Sequence, residues 1–591
     1  MTALSNDPLP SWDLSDLFSG RNSPDLTRAL AQADRDAKAF AEQYQGKVAS
    51  LDAGALAQAI ARYEQIDESL SRLMSYAGLV NAQDMTDAEN QRFYADMQGK
   101  VTDISTVLLF FTLEINRLDE DALQAKMAHQ DLARFAPWLR DLRVFKPYQL
   151  ADDIERLFYE KNLTGANSWT RLFDETVAGL TCTVDGIERG LEETLNLLYS
   201  TDRNLRARAG DALAQTFKGK INLFAMILNI LMKDKEIEDR WRGIDNPALS
   251  RHLSNQVEPE VVAALETAVK DRLPRLSHRY YALKAKWLGL ERMEYYDRNA
   301  PLPDRDDRVI AWGEAKSIVM EAYRRFSPEL ASTATPFFEK PWIDAGIRLG
   351  KAPGAFAHPT VPSVHPYLLV NYQGRLRDVM TLAHELGHGV HQILAGVRGH
   401  FLSQTPLTLA ETASVFGEML TFRALLDEAR DPEIRRALLA SKVEDMINTV
   451  VRQTAFYSFE QRLHQARRQG ELSAERIGEI WMDVQGQSLG PAIHLGAGYE
   501  TFWCYISHFI HSPFYVYAYA FGDCLVNSLY AVYQESAVGF AERYLDLLRA
   551  GGTKRHQELL APFGLNASDP QFWHKGLSVI EGFIDELERL S

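Results

Sequence analysis

The chain has 591 residues, 46% hydrophobic and 24% charged, with no Gly/Ser tracts, Gln-rich stretches or repeats, which excludes disordered and fibrous classes. A formal net charge of −16 argues against nucleic acid and anionic membrane as partners, since both call for basic patches. The three cysteines, Cys182, Cys504 and Cys524, have no CxxC spacing, which argues against a disulfide framework and fits small core residues in a reducing compartment.

The N-terminal stretch MTALSNDPLPSWDLSDLF has an early acid and two prolines but no basic region followed by an apolar one. It is not expected to be a secretory signal, and cytoplasm is the expected location. From Leu26 to Leu163 apolar residues recur at three- and four-residue steps, the period of amphipathic helices, and predict a helical bundle. The alternation in LTCTVDGIERG around Asp185-Gly186 predicts a hairpin. That hairpin is expected to close an N-terminal helical domain, 1–190, ahead of a second helical domain, 191–591.

Helical period resumes from Leu191 to Leu288, and YYDRNAPLPDRDD (295–307) predicts a loop. HPYLLVNYQG (365–374), with a proline near its start and a glycine at its end, predicts a strand. Helices return from Arg375 to the C-terminus, with breaks at Gly490 to Gly498, Gly551 and Pro562. The run from Ile477 to Glu542 contains no Lys or Arg and is expected to be buried or to line a cavity. Within it, Pro513 to Tyr533 comes nearest to a membrane span, but Asp523, Asn527 and its tyrosines interrupt it, so no membrane partner is expected. The expected fold class is mainly α with small β elements.

The stretch TLAHELGHGVHQ (381–392) carries the chemistry. On a helical wheel Val379, Leu382, Leu386, Val390 and Ile393 form one apolar stripe. His384 and His388, one turn apart, point away from that stripe, and Glu385 projects between the two faces. Two imidazoles so spaced can converge on one zinc ion, and the glutamate can reach a water on it. Gly387 and Gly389, costly in a helix, imply close approach of something to the backbone.

A catalytic zinc needs a third protein ligand. In TPLTLAETASVFGEML, Glu411, Ser414 and Glu418 share one face of a helix, so Glu411 can enter the metal shell while Glu418 supports from behind. The alternative, a capping box over Thr408 to Glu411, is disfavoured because Thr405-Pro406 is a better helix start and moves Glu411 into the second turn. His391 and His400 are rival third ligands, but His391 follows His388 by only three residues on the same helix, where three imidazoles converge poorly.

In HELGHGVHQ and LAETASVFGEML, together with WDLSDLF, HPYLLVNYQGRLRDVMTLAHELGHGVH and HFIHSPFYVYAYAFG, the chain resembles the oligoendopeptidase F branch of the thimet-oligopeptidase family of zinc metallopeptidases. The likeness spans residues 12 to 522. It implies a large helical ellipsoid with a deep channel, small β elements beside the metal helix, one zinc ion per chain and short unstructured peptides as substrates. It implies His384, His388 and Glu411 as zinc ligands, Glu385 as the catalytic glutamate, and HPYLLVNYQG as a sheet edge that pairs with substrate. His508 and tyrosines of FYVYAY match a substrate-clamping loop. Tyr515 and Tyr519 share the His508 face if the run is helical, and Tyr517 joins them if it is extended, although Pro513 opposes an unbroken helix.

The expected activity is zinc-dependent endopeptidase action on short peptides. Alternatives are a metallocarboxypeptidase or dipeptidyl carboxypeptidase, disfavoured by the absence of Lys and Arg from the Ile477 to Glu542 run, and a non-enzymatic peptide binder with a structural zinc, disfavoured because no cysteine lies near the metal helix in sequence.

Overall fold

The computed structural model describes residues 9–302 and 308–590. Residues 1–8 of the stretch read for a leader, and 303–307 of the expected loop, lie outside the described residues. The fold is mainly α, at 71% helix and 3% strand. The strands are β1 Thr181–Val184, β2 Ile187–Gly190, β3 Met293–Glu294, β4 Ile343–Asp344, β5 Phe356–His358, β6 Tyr367–Leu369 and β7 Ile493–His494. Among the helices are α1 Leu376–Gly396, α2 Leu407–Glu428, α3 Gln453–Arg467 and α4 Tyr517–Glu535.

The chain folds into two compact units, each built from three stretches. The first comprises Met1–Lys146, Asp307–Glu428 and Tyr533–Gly564, and the second Pro147–Asp306, Ala429–Val532 and Leu565–Ser591. Residue 190 lies within the second unit.

In the first unit the helices Pro24–Tyr44, Ala53–Gln83 and Ala88–Arg117 begin at Ser23, Asp52 and Asp87, whose side chains accept first-turn amide hydrogens and satisfy donors the helix leaves open. Phe40 and Phe111, edge to face at 5.0 Å, anchor their common core. Further along, the sheet runs β4-β6-β5, with β6 parallel to β4 and antiparallel to β5.

This corrects one expectation. The HPYLLVNYQG segment supplies the middle strand, fully buried, so it is not the edge. The outer position beside it belongs to β5. A strand of three residues, Phe356–His358, is too short to display alternation in the sequence.

The N-terminus of α1 is held by Asp378, whose Oδ2 accepts the amide hydrogens of Gln373 and Arg375 at 2.8 and 2.9 Å. Val379, Leu382, Leu386 and Val390 are wholly buried, as their stripe requires, while Ile393 is half-buried. Gly387 explains how α1 and α2 come so close. A Cβ there would sit 2.5 Å from the Ala413 carbonyl oxygen and 2.7 Å from the Ser414 Cα, inside any tolerable contact.

In the second unit β1 and β2 form the expected hairpin, with Asp185 (φ 56°) and Gly186 (φ 77°) both left-handed, as a type I′ turn demands. The long helix Arg203–Arg242 ends at Gly243, also left-handed. The tiny strands β3 and β7 pair in parallel. In α4 every residue from Tyr517 to Tyr530 except Tyr519 is buried, in keeping with the segment's lack of basic residues. Among the described residues no helix is long and apolar enough to cross a membrane.

Candidate metal centre

Helix α1 brings the rings of His384 and His388 to 5.0 Å between centroids, nearly perpendicular. Helix α2 starts at Leu407, directly after Pro406, which puts Glu411 in its second turn facing α1. Its Oε2 lies 3.4 Å from His384 Nε2 and 3.6 Å from His388 Nε2. One ligand atom from each of the three residues falls within 4.8 Å of the others, and among the described residues this is the single such group.

Two residues brace the trio. Glu418 Oε2 is 3.2 Å from His384 Nδ1, so with Nδ1–H donating to the carboxylate, the Nε2 lone pair is left facing Glu411. Ser414 Oγ donates to Glu411 Oε2 at 2.8 Å. Beneath them the Tyr323 hydroxyl donates to the Ala383 carbonyl at 2.7 Å. The donor set, two imidazole nitrogens and one carboxylate oxygen on rigid helices, fits a zinc-like divalent ion with coordination positions to spare.

The electrostatics follow from burial among carboxylates. Burial pushes the Glu385 carboxyl up to about 7; the His384 charge and a hydrogen bond from the Ala357 backbone on β5 pull it back, while Glu411 adds to the rise. Burial works against charge on His384, but the Glu418 hydrogen bond and the charges of Glu411 and Glu418 outweigh it and raise it to about 9. Burial holds His388 down to about 4.

The rival ligands are placed elsewhere. His391 is buried, held down to about 4 by that burial, with its Nε2 3.4 Å from Thr405 Oγ1. His400 Nε2 is 2.8 Å from Asp67 Oδ2, on the helix Ala53–Gln83. Beside His388 opens a cavity of about 550 Å³, walled by the 359–366 loop, His391, Gln392 and Thr405.

In the second unit the helix His508–His511 gives way to an irregular Ser512–Val516 before α4 begins. The break lets His508, Tyr515 and Tyr519 gather. His508 Nε2 is 3.3 Å from the Tyr519 hydroxyl, the Tyr515 ring stacks at 6.3 Å from His508, and the two tyrosine rings meet edge to face at 5.2 Å. Burial, then Arg452 and His511, disfavour protonation of His508. Tyr517 does not join them. It is buried, its hydroxyl accepting from Asn255 Nδ2 at 2.9 Å and lying 3.0 Å from His252 Nδ1. The Ala357 backbone beside Glu385 leaves no side-chain signal in the sequence.

A family model described as Peptidase family M3 matches residues 319–579, and one described as Oligopeptidase F matches 114–181. Oligopeptidase PepF of Bacillus subtilis (strain 168) is 26% identical over 593 residues, covering 98% of this chain and 87% of the relative. Group B oligopeptidase PepB of Streptococcus agalactiae serotype III is also 26% identical, covering 98% of this chain and 96% of its own. The crystal structure of oligoendopeptidase-F from Enterococcus faecium superposes with a TM-score of 0.72 at 21% identity, over 96% of this chain and 98% of that one.

Proposed function

The chain belongs to peptidase family M3, alongside the oligoendopeptidases F, and on that premise we propose a zinc-dependent endopeptidase that cuts short, unstructured peptides. The observation that carries this reading is the convergence of His384, His388 and Glu411 beside a buried Glu385. These three residues would hold one zinc ion per chain. When bound, the ion supplies Lewis acidity toward the scissile carbonyl and lowers the pKa of a water toward about 7.

The remaining work falls to the chain's own groups. Glu385 accepts the proton of the attacking water and delivers it to the leaving amine. Glu418 orients His384 through Nδ1, and Ser414 orients the Glu411 carboxylate. The outer edge of β5, rather than β6, is assigned the substrate backbone, which would pair with it as an added strand. The cavity beside His388 would take a substrate side chain. To His508, with Tyr515 and Tyr519, we assign hydrogen bonds to the oxyanion of the tetrahedral intermediate, each donor worth about 3 to 4 kcal/mol.

Digestion of end-blocked and free-ended peptides, with and without chelator and read by mass spectrometry, tests this. Internal cuts in blocked peptides that stop with chelator and return with zinc are expected. Removal of C-terminal residues alone would instead indicate a carboxypeptidase, and chelator-induced unfolding with no hydrolysis at any stage would indicate a binder with structural zinc.

A further inference from the structure

The turn that separates His508 from α4 has an uncommon backbone. The amide of Tyr515 donates to the Ser512 carbonyl at 3.1 Å, closing a four-residue turn with Pro513 second and Phe514 third. Phe514 has φ 60°, a left-handed value that a bulky side chain resists. Proline second and positive φ third is the type II pattern, whose third position favours glycine. A type I turn through the same four residues would relieve Phe514, and it would flip the peptide plane between Pro513 and Phe514.

Both ends of that one peptide plane are held. The Phe514 amide donates to Glu460 Oε1, on α3, at 2.8 Å. The Pro513 carbonyl accepts from Arg251 Nε at 3.4 Å, and the same guanidinium lies 5.5 Å from the centre of the Tyr515 ring. Glu460 is 2% exposed, and its Oε2 has no hydrogen-bond partner among the described residues. A buried carboxyl group with an orphaned oxygen costs stability. Burial pushes it up to about 8, against the pull of the Phe514 amide and Arg251. Flipping the plane would take from the buried Glu460 carboxyl group its hydrogen bond from the Phe514 amide, which favours the type II form. The turn then leads Tyr515 and Tyr519 to His508, while Tyr517, buried on His252 and Asn255, pins the start of α4.

We propose that Glu460, with Arg251, is a positioning pair that holds the Ser512–Tyr515 turn in its strained form and so sets Tyr515 and Tyr519 against His508. This rests on the assignment of that cluster to the reaction, made above. Neither residue touches substrate in this account. Both act through the backbone.

The test compares Glu460→Gln, which keeps an acceptor oxygen, with Glu460→Met, which removes it, and with Arg251→Met at the other end of the plane. Each is assayed for zinc content, for kcat and KM on a short quenched peptide, and for amide exchange across 510–520. Glu460→Met and Arg251→Met are expected to lower kcat by about 10²-fold, the scale of a misplacement near 1 Å, with KM and zinc content little changed. They are also expected to speed exchange in 512–519. Glu460→Gln is expected to stay near wild type in both readouts. Equal losses in the Gln and Met variants, or unchanged kcat in both Met variants, would overturn the proposal while leaving the peptidase reading intact. If the wild-type protein hydrolyses no peptide, that reading fails by itself, and unaltered exchange in both Met variants would then overturn the positioning role as well. Should Glu460→Met not fold, Arg251→Met, at a half-buried site, decides the matter by the same readouts.

Discussion

His384 and Glu418 meet through Nδ1 and Oε2 at 3.2 Å, although 34 positions separate them. The contact fixes which imidazole nitrogen would be left for a metal, and it ties the orientation of the proposed ligand His384 on α1 to a residue about two turns beyond the proposed ligand Glu411 on α2. Replacing Glu418 with Gln or Ala should weaken zinc binding by about 10- to 100-fold, with hydrolysis regained at excess zinc. Competition with a chromophoric chelator measures it.

Glu385→Gln should keep the metal, because the proposed ligand trio is untouched, and lose about 10²- to 10⁴-fold in kcat, the contribution of a positioned general base. Parallel metal analysis and single-turnover kinetics separate the two effects.

Gly387→Ala should force α1 and α2 apart, since the added Cβ would press on the backbone of Ala413 and Ser414 rather than on a yielding side chain. A loss of about 1 to 3 kcal/mol is expected from such overpacking, and zinc affinity should fall with it because Glu411 and Ser414 ride on the displaced helix. Urea titration with and without zinc reports both.

Acid should destabilise the second unit through His252. Burial holds this imidazole down to about 4, against an ordinary value of 6.5, so the folded form prefers it neutral. Its depressed value means its contribution is complete above about pH 6.5 and is lost as pH falls toward 4. At about 1.4 kcal/mol per pH unit the loss is on the order of 3 kcal/mol. Urea midpoints of wild type and His252→Gln between pH 8 and 4 should converge in acid.

Much of this site was legible in the sequence because helix geometry is regular. The spacing of His384 and His388, the shared face of Glu411, Ser414 and Glu418, and the mid-helix Gly387 each have meaning at 3.6 residues per turn, before any tertiary contact is known. The Asp185-Gly186 hairpin was legible for a similar reason, since few dipeptides accept two left-handed residues in succession. What stayed hidden depends on tertiary placement. A three-residue β5 has no period to detect, and the central position of β6 is set by β4 and β5, not by its own residues. The division of labour among Tyr515, Tyr517 and Tyr519 turns on one left-handed Phe514, a conformation phenylalanine gives no reason to expect. Glu460, isolated on an ordinary helix, carries no motif.

The most direct measurement is zinc content per chain in wild type and in His384→Ala, His388→Ala and Glu411→Gln, set beside the hydrolysis of an end-blocked peptide. One zinc per wild-type chain is expected, with metal and activity lost together in each variant. Full activity in a metal-free preparation, or zinc retained at full stoichiometry when all three residues are replaced, would contradict it.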